Sequence, residues 1–164
     1  MNQVMQDWDA VARLVAESEI RQLLATYIHR LDAGDFEGVA AVLEHAEMDV
    51  LGTVVSGREG VKTFMESGLR VFPDGTPRTW HTVANELIAI DPAGDRATSS
   101  SYYTVHQQLD GFPLQPICTG KYLDRFERHE GKWRFSRRSL TLQLVGDLQH
   151  HVKGPNETGV ARSA

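Results

Sequence analysis

His81 is the residue of this sequence that best suits proton transfer. An imidazole titrates near neutral pH, so a nearby carboxylate is enough to make it a competent base. His81 stands at the opening of a strand-like run, and Asp32, at the end of a predicted helix far upstream, is the candidate carboxylate. The alternative interpretation is that His81 is a hydrogen-bonded histidine of the core or its rim.

The elements that position these two residues fit into one folded unit. A chain of 164 residues that is 41% hydrophobic and 24% charged suffices for one ordinary domain. We expect a single domain over residues 1–149 and a flexible tail over residues 150–164, where the sequence becomes polar and aperiodic. The net charge of -5, with basic residues spread along the chain, argues against a general nucleic-acid-binding protein.

The expected compartment is the cytoplasm. The first ten residues contain neither a basic stretch followed by an apolar run nor a candidate membrane span, so secretion is not expected. Cys118 is the only cysteine, which excludes an intramolecular disulfide and a cysteine-cluster zinc site. A single cysteine also favours a reducing environment.

Apolar residues recur at three- and four-residue spacing from Trp8 to Leu31, which predicts a long amphipathic helix that ends before Gly34. At about 100° per residue, Asp32 lies at the edge of the apolar stripe and can border a cavity. A carboxylate there meets the unfavourable end of the helix dipole. This unfavourable position suggests that Asp32 has a functional role. The alternative is that Asp32 is only a residue of the turn that ends the helix.

The remaining elements follow in the order short helix, strand, helix and four strands. Asp35 caps the short helix, residues 48–55 predict one strand, and Ser56 opens the third helix. The four final runs, separated only by turn residues, cover residues 79–90, 96–108, 116–128 and 133–145. Sequential hairpins predict an antiparallel sheet with the helices grouped on one face, an α+β architecture whose curved sheet encloses a pocket.

The last predicted strand changes its inward face along its length. Two aromatic residues at its start share one face, whereas the leucines from position 140 onward occupy the other. We therefore predict a bulge between Ser136 and Ser139. Such a bulge turns either Arg137 or Arg138 inward.

The other histidines are less informative. His106 shares a face of its strand with Tyr102 and with hydroxyl-bearing residues, so this face is either exposed to solvent or a polar pocket wall. None of the seven histidines stands in a His-x-x-x-His or His-Glu-x-x-His arrangement, which makes metal binding the minority interpretation. The sequence also lacks a glycine-rich phosphate loop and a Gly-x-Ser-x-Gly nucleophile turn. No cofactor is expected.

Four stretches, taken in their order and spacing, resemble the SnoaL-like branch of the NTF2-like superfamily. They are YIHRLDAGDFE (27–37), HTVAN (81–85), GKYLDRF (120–126) and GKWRF (131–135). The resemblance covers about residues 10 to 148. Within the superfamily, the pattern is most similar to scytalone dehydratase and to the hexachlorocyclohexane dehydrochlorinase.

The resemblance implies a cone, in which a strongly curved antiparallel sheet wraps around N-terminal helices and encloses a deep pocket. It also implies a catalytic dyad in which Asp32 orients His81 as the base. The second histidine of scytalone dehydratase falls on His106, and the last-strand arginine of the dehydrochlorinase falls on Arg138. Asn85 stands in the same His-x-x-x-Asn setting as in the dehydrochlorinase and is expected to contact the substrate. Arg138 or His106 is expected to stabilise or protonate the departing group.

Several of these positions have alternatives. Arg138 equally fits a structural ion pair with Asp32 or Asp124. Two tyrosines that scytalone dehydratase presents to its substrate are replaced by Leu31 and Val50, so scytalone is not the expected substrate. Five further residues are expected to form the pocket wall, and each also fits an ordinary core position: Tyr27, Phe64, Trp80, Tyr102 and Cys118.

The predicted function is that of a cofactor-independent lyase, resembling a dehydratase or dehydrohalogenase, that acts on a small, largely apolar and cyclic substrate. The alternatives are an isomerase or polyketide cyclase with the same base, and a non-catalytic cone that binds a ligand or assembles with a partner. The expected partner is a small molecule, with no nucleic acid and no membrane. The resemblance further implies a homo-oligomer, either a dimer or a trimer.

Overall fold

The computed structural model describes residues 2–154, and within that range the chain forms three helices and six strands. The helices are α1 (Asn2–Asp32), α2 (Phe36–Val42) and α3 (Gly57–Gly68). The strands are β1 (Glu47–Val50), β2 (Thr53–Ser56), β3 (Thr79–Ile90), β4 (Arg96–Leu109), β5 (Phe112–His129) and β6 (Lys132–Val145). The expected α+β architecture is confirmed, with the four long strands following the last helix.

The C-terminal half of α1 packs on the sheet because its apolar residues repeat at three- and four-residue spacing. The buried members of this stripe are Ile20, Leu24, Tyr27 and Leu31. The helix ends at Asp32, and Gly34 then adopts a left-handed φ of 73°. A Cβ at position 34 would collide with the carbonyl oxygen of Gly75, so this turn requires glycine. Asp35 caps α2 as predicted, accepting a hydrogen bond from the Gly38 amide at 2.8 Å.

The sheet has the strand order β2-β1-β6-β5-β4-β3. The three hairpins among β3, β4, β5 and β6 are antiparallel as predicted, but β1 pairs with β6 in parallel. The prediction of a single strand over residues 48–55 is wrong. Leu51 and Gly52 both adopt positive φ and form a tight turn that splits this region into the antiparallel pair β1 and β2.

The predicted bulge in β6 is confirmed. Arg137 pairs with Arg125 and Phe135 pairs with Phe126, so Ser136 is the extra residue. Phe135 and Arg138 consequently both face the core, with 0% and 1% exposure. Arg137 points to the other face, where it forms ion pairs with two carboxylates of β1. Of the two candidate arginines, Arg138 is therefore the one that turns inward.

The chain after β6 returns to α3 and packs against its end. Leu69 and Val152 form a β-bridge, and the Arg70 amide donates to the His151 carbonyl oxygen at 2.9 Å. His151 is 9% exposed. Residues 150–153, at the start of the expected flexible tail, are thus held by hydrogen bonds to their backbone. The rest of the expected tail, residues 155–164, lies outside the described residues.

Candidate active site

The side chains of His81 and Asp32 are in direct contact, because the first residues of β3 run past the C-terminal end of α1. Nδ1 of His81 lies 2.6 Å from Oδ1 of Asp32. The His81 backbone amide donates to Oδ2 at 2.8 Å, and the Thr79 hydroxyl donates to Oδ1 at 2.8 Å. A carboxylate can only accept, so Nδ1 carries the imidazole proton and Nε2 is the basic nitrogen.

The surroundings of Asp32 favour its ionised, carboxylate form. Burial raises the pKa of Asp32, but the hydrogen bonds and charge of His81 and the bond from Thr79 outweigh it and leave the pKa below its ordinary value. The His81 side chain is only 4% exposed. None of the described residues hydrogen-bonds to Nε2, which remains available to a ligand. The carboxylate can then stabilise the imidazolium that forms when Nε2 takes up a proton.

His81 borders a cavity of about 200 Å³ between α1, α3 and the inner face of the sheet. Most of its wall is apolar. The apolar lining residues include Leu31, Val50, Phe64, Met65, Leu69, Val105, Leu140, Leu142, Leu148 and Val152. The polar side chains in the wall are His81, His151, Cys118 and three tyrosines, Tyr27, Tyr103 and Tyr122. Such a site suits a small apolar molecule that is held by a few polar contacts.

Three of the five predicted wall residues line this cavity: Tyr27, Phe64 and Cys118. Burial raises the pKa of the Cys118 thiol to about 11, so the thiol is protonated and serves as a wall rather than a nucleophile. Trp80 and Tyr102 instead lie on the outer face of the sheet, 71% and 49% exposed. Side chains alternate along a strand, so the inward position of His81 turns Trp80 outward. Placing these two aromatic residues in the wall was wrong.

Asn85 and His106 also lie away from the cavity. Asn85 is an exposed residue with φ of 57°, at the irregularity where the β3 and β4 ladder shifts register. His106 pairs across the ladder with Trp80 and shares an outer groove with it. The neighbouring inward residue of β4 is Val105. Two expectations are therefore corrected: the outer face of β4 keeps His106 away from His81 and Asp32, and the irregularity in β3 keeps Asn85 out of the cavity wall.

Arg138 lies behind the cavity wall rather than in it. Its guanidinium carbon is 4.0 Å from the ring centroid of Tyr27 and 3.7 Å from that of Tyr122. Nη1 lies 3.3 Å from Oδ2 of Asp124, whose side chain is fully buried. The structure thus shows the ion pair with Asp124 that was the alternative for this arginine. Arg138 reaches a ligand only through the two tyrosine rings.

Comparison with known families identifies the chain. The family model described as the SnoaL-like domain matches residues 12–139. The chain belongs to the SnoaL-like domain family. The resemblance inferred from the four sequence stretches is thereby confirmed. A search of curated proteins finds no match.

The SnoaL-like chain shares its fold with several solved structures. An NTF2-like protein from Novosphingobium aromaticivorans has 22% identity and a TM-score of 0.71, with 87% of this chain and 91% of that chain covered. A protein named as a candidate scytalone dehydratase, from the same organism, has 23% identity and a TM-score of 0.68, covering 93% and 99%. LinA has 20% identity and a TM-score of 0.67, covering 84% and 92%. These similarities confirm the NTF2-like fold.

His151 is the site residue that sequence reasoning missed in this SnoaL-like chain. It lines the cavity, and its ring centroid lies 6.4 Å from that of His81. Only two residues of the sequence indicated that this segment packs against the domain: Leu148 and Val152, the only apolar residues between positions 147 and 153. They lie about one helical turn apart, and both line the cavity with His151.

The described residues contain no group of three His, Cys, Asp or Glu side chains that could hold a metal ion. In the same part of the chain, no helix is both long and apolar enough to span a membrane. The polar groups at the cavity are those of the His81–Asp32 pair, Cys118, the three tyrosines and His151.

Proposed function

We propose that this protein is a cofactor-independent lyase, resembling a dehydratase or dehydrohalogenase, that acts on a small, largely apolar, cyclic substrate. The observation that carries the proposal is the 2.6 Å contact between Nδ1 of His81 and Oδ1 of Asp32 at the edge of an apolar cavity. A purely structural cone has no need for a partly buried carboxylate that orients an imidazole in this way.

The proposed reaction is an elimination. Nε2 of His81 removes a proton from a ring carbon, and the electron pair of that C–H bond forms a carbon–carbon double bond. The neighbouring C–O or C–halogen bond breaks, and the leaving group departs with its electrons. A halide leaves as the anion, whereas a hydroxyl leaves as water after receiving a proton, for which the newly formed His81 imidazolium is the available acid. Asp32 stabilises that imidazolium throughout.

Arg138 has a positioning role in this proposal. It is stacked against the rings of Tyr27 and Tyr122, which form part of the cavity wall. Burial raises the pKa of both phenols, so each keeps its proton and can donate a hydrogen bond to a departing group. Neighbouring positive charge makes a phenol a better donor.

The size of the cavity limits the substrate to about one ring. Pockets for drug-sized ligands measure about 300–1,000 Å³, whereas this cavity measures about 200 Å³. Its mostly aliphatic wall disfavours charged substituents, because burying a charge without a partner is costly.

The test is turnover with a panel of cyclic hydroxyketones and chlorinated cycloalkanes, followed by mass spectrometry of the products and by chloride release. His81→Ala and Asp32→Asn should each lower kcat by about 10²- to 10⁴-fold, the usual worth of general acid-base assistance. His29→Ala is the matched control, because this histidine lies exposed on α1, and it should retain the wild-type rate.

The outcome that would contradict the proposal is a wild-type rate in both dyad variants. A product that has the mass of the substrate but a shifted double bond would assign an isomerase with the same base. Tight ligand binding without any conversion across the panel would favour a non-catalytic cone.

A further inference from the structure

The segment after β6 is held over the cavity by its backbone. The Lys153 amide donates to the Gly68 carbonyl at 2.9 Å, and the Arg70 amide donates to the His151 carbonyl at 2.9 Å. The buried Gln107 amide donates to the His150 carbonyl at 3.1 Å. These bonds come from α3, its following loop and β4, so the position of residue 151 is determined from several directions.

The imidazole of His151 takes no part in these backbone hydrogen bonds. Its Nδ1 is fully buried and has no hydrogen-bond partner. Leaving a buried polar atom without a partner is costly, and most such atoms in native proteins are paired. The ring lies in the cavity wall, 6.4 Å from the His81 ring between centroids. An imidazole in the cavity wall that makes no hydrogen bond with the described residues is well placed to bind a ligand.

We infer that His151 is a substrate-binding residue that hydrogen-bonds a neutral hydroxyl or carbonyl oxygen on the substrate ring. The inference rests on the proposed function, because it takes the cavity to be the substrate site. It narrows the substrate class to oxygen-bearing single-ring compounds, and so favours dehydration over dehydrohalogenation.

The protonation state of His151 agrees with a neutral oxygen partner. Burial lowers the pKa of this imidazole to about 4, and the neighbouring His81 lowers it as well. At neutral pH the ring therefore offers one N–H donor and one acceptor nitrogen, without a charge. A neutral hydroxyl or carbonyl matches such a ring, whereas a carboxylate would lie unpaired near the charge of Asp32.

The test uses phenol and toluene, two single-ring probes of similar shape that differ in one hydroxyl. Their affinities for the full chain are measured by calorimetry or by NMR titration. His151→Leu should weaken phenol binding about tenfold, the worth of one hydrogen bond, and should change toluene binding by less than threefold. His151→Asn keeps a hydrogen-bonding side chain at this position and should recover part of the loss. His150→Asn is the matched control and should leave both affinities unchanged.

A second readout uses the wild-type protein alone, in which phenol but not toluene should shift the His151 ring resonances. The inference is overturned if the ratio of the two affinities stays constant in His151→Leu. It is also overturned if both affinities fall together, or if wild-type protein does not bind phenol. None of these measurements requires turnover. Selective phenol binding without elimination would therefore refute the proposed function only, and elimination with an unchanged affinity ratio would refute this inference only.

Discussion

Replacing Asp32 by asparagine is the sharpest perturbation of the dyad, because it keeps the shape of the side chain and removes its charge. The carboxylate accepts three hydrogen bonds, from Thr79 and from two nitrogens of His81, at distances of 2.6 to 2.8 Å. An amide has only one oxygen. Whichever way it is turned, its NH₂ group faces one of these donors or forces His81 into the other tautomer.

The expected loss of stability follows from this mismatch between three hydrogen-bond donors and a single amide oxygen. A buried donor left unpaired costs about 1–3 kcal/mol, and hydrogen bonds to a charged acceptor lie at the upper end. The Asp32 side chain is 16% exposed, so water replaces little of the loss. We expect Asp32→Asn to lower the free energy of unfolding by about 2–3 kcal/mol at pH 7. Asp110→Asn, in the exposed turn between β4 and β5, is the control and should change it by less than about 0.5 kcal/mol.

The stability difference should also depend on pH in a defined direction. The pKa of Asp32 is lowered from its ordinary value of 3.8. The stability that the carboxylate contributes is therefore complete above pH 3.8 and is lost as the pH falls through the lower pKa of the folded state. Wild type and Asp32→Asn should converge in urea unfolding, followed by tryptophan fluorescence, as the pH falls through this range.

Nitrogen NMR of the His81 ring gives the decisive result. Wild-type protein should show a protonated Nδ1 and a bare Nε2, and Asp32→Asn should shift this population toward the other tautomer. A wild-type ring with the proton on Nε2 would contradict the tautomer assigned to His81. A loss of stability no larger than that of Asp110→Asn would contradict the expected cost of removing the carboxylate.

Three further predictions concern other buried groups. Arg138→Met should lower the free energy of unfolding in urea by about 3–5 kcal/mol, because it leaves Asp124 buried without its partner. Adding Asp124→Leu should restore most of the lost stability, and a double variant that is no more stable would argue against the ion pair. Cys118, with a raised pKa and 8% exposure, should react with iodoacetamide at pH 8 at least about tenfold more slowly in the native protein than in urea; equal rates would show that it is accessible. Folding lowers the pKa of His151 from 6.5 to about 4. Between pH 6.5 and pH 4 the imidazole is therefore protonated in the unfolded chain but not in the folded one, and the free energy of unfolding should fall by about 3 kcal/mol over this range. His151→Asn should remove that slope, and an unchanged slope would assign it to another group.

Much of the fold follows from local patterns in the sequence. The helical stripe that ends at Asp32 and the four long strands were predicted because periods of 3.6 and 2 residues are properties of neighbouring positions. A bulge between Ser136 and Ser139 was predicted for the same reason, since the apolar residues change face along this strand, and the structure places the extra residue at Ser136. Both members of the dyad were also identified from the sequence and its resemblance, although their contact requires two segments that are distant in the chain.

Tertiary structure decided what those local patterns leave open. Alternation shows which residues of a strand share a face but not which face meets the helices, so His106 and Trp80 could be assigned only once β3 and β4 were packed. The parallel pairing of β1 with β6 depends on a turn at Leu51 and on a partner strand far along the chain. His151 reaches the cavity through backbone bonds to α3 and β4. Contacts between distant segments leave no periodic trace in the sequence, and such contacts bring the imidazole of His151 close to that of His81.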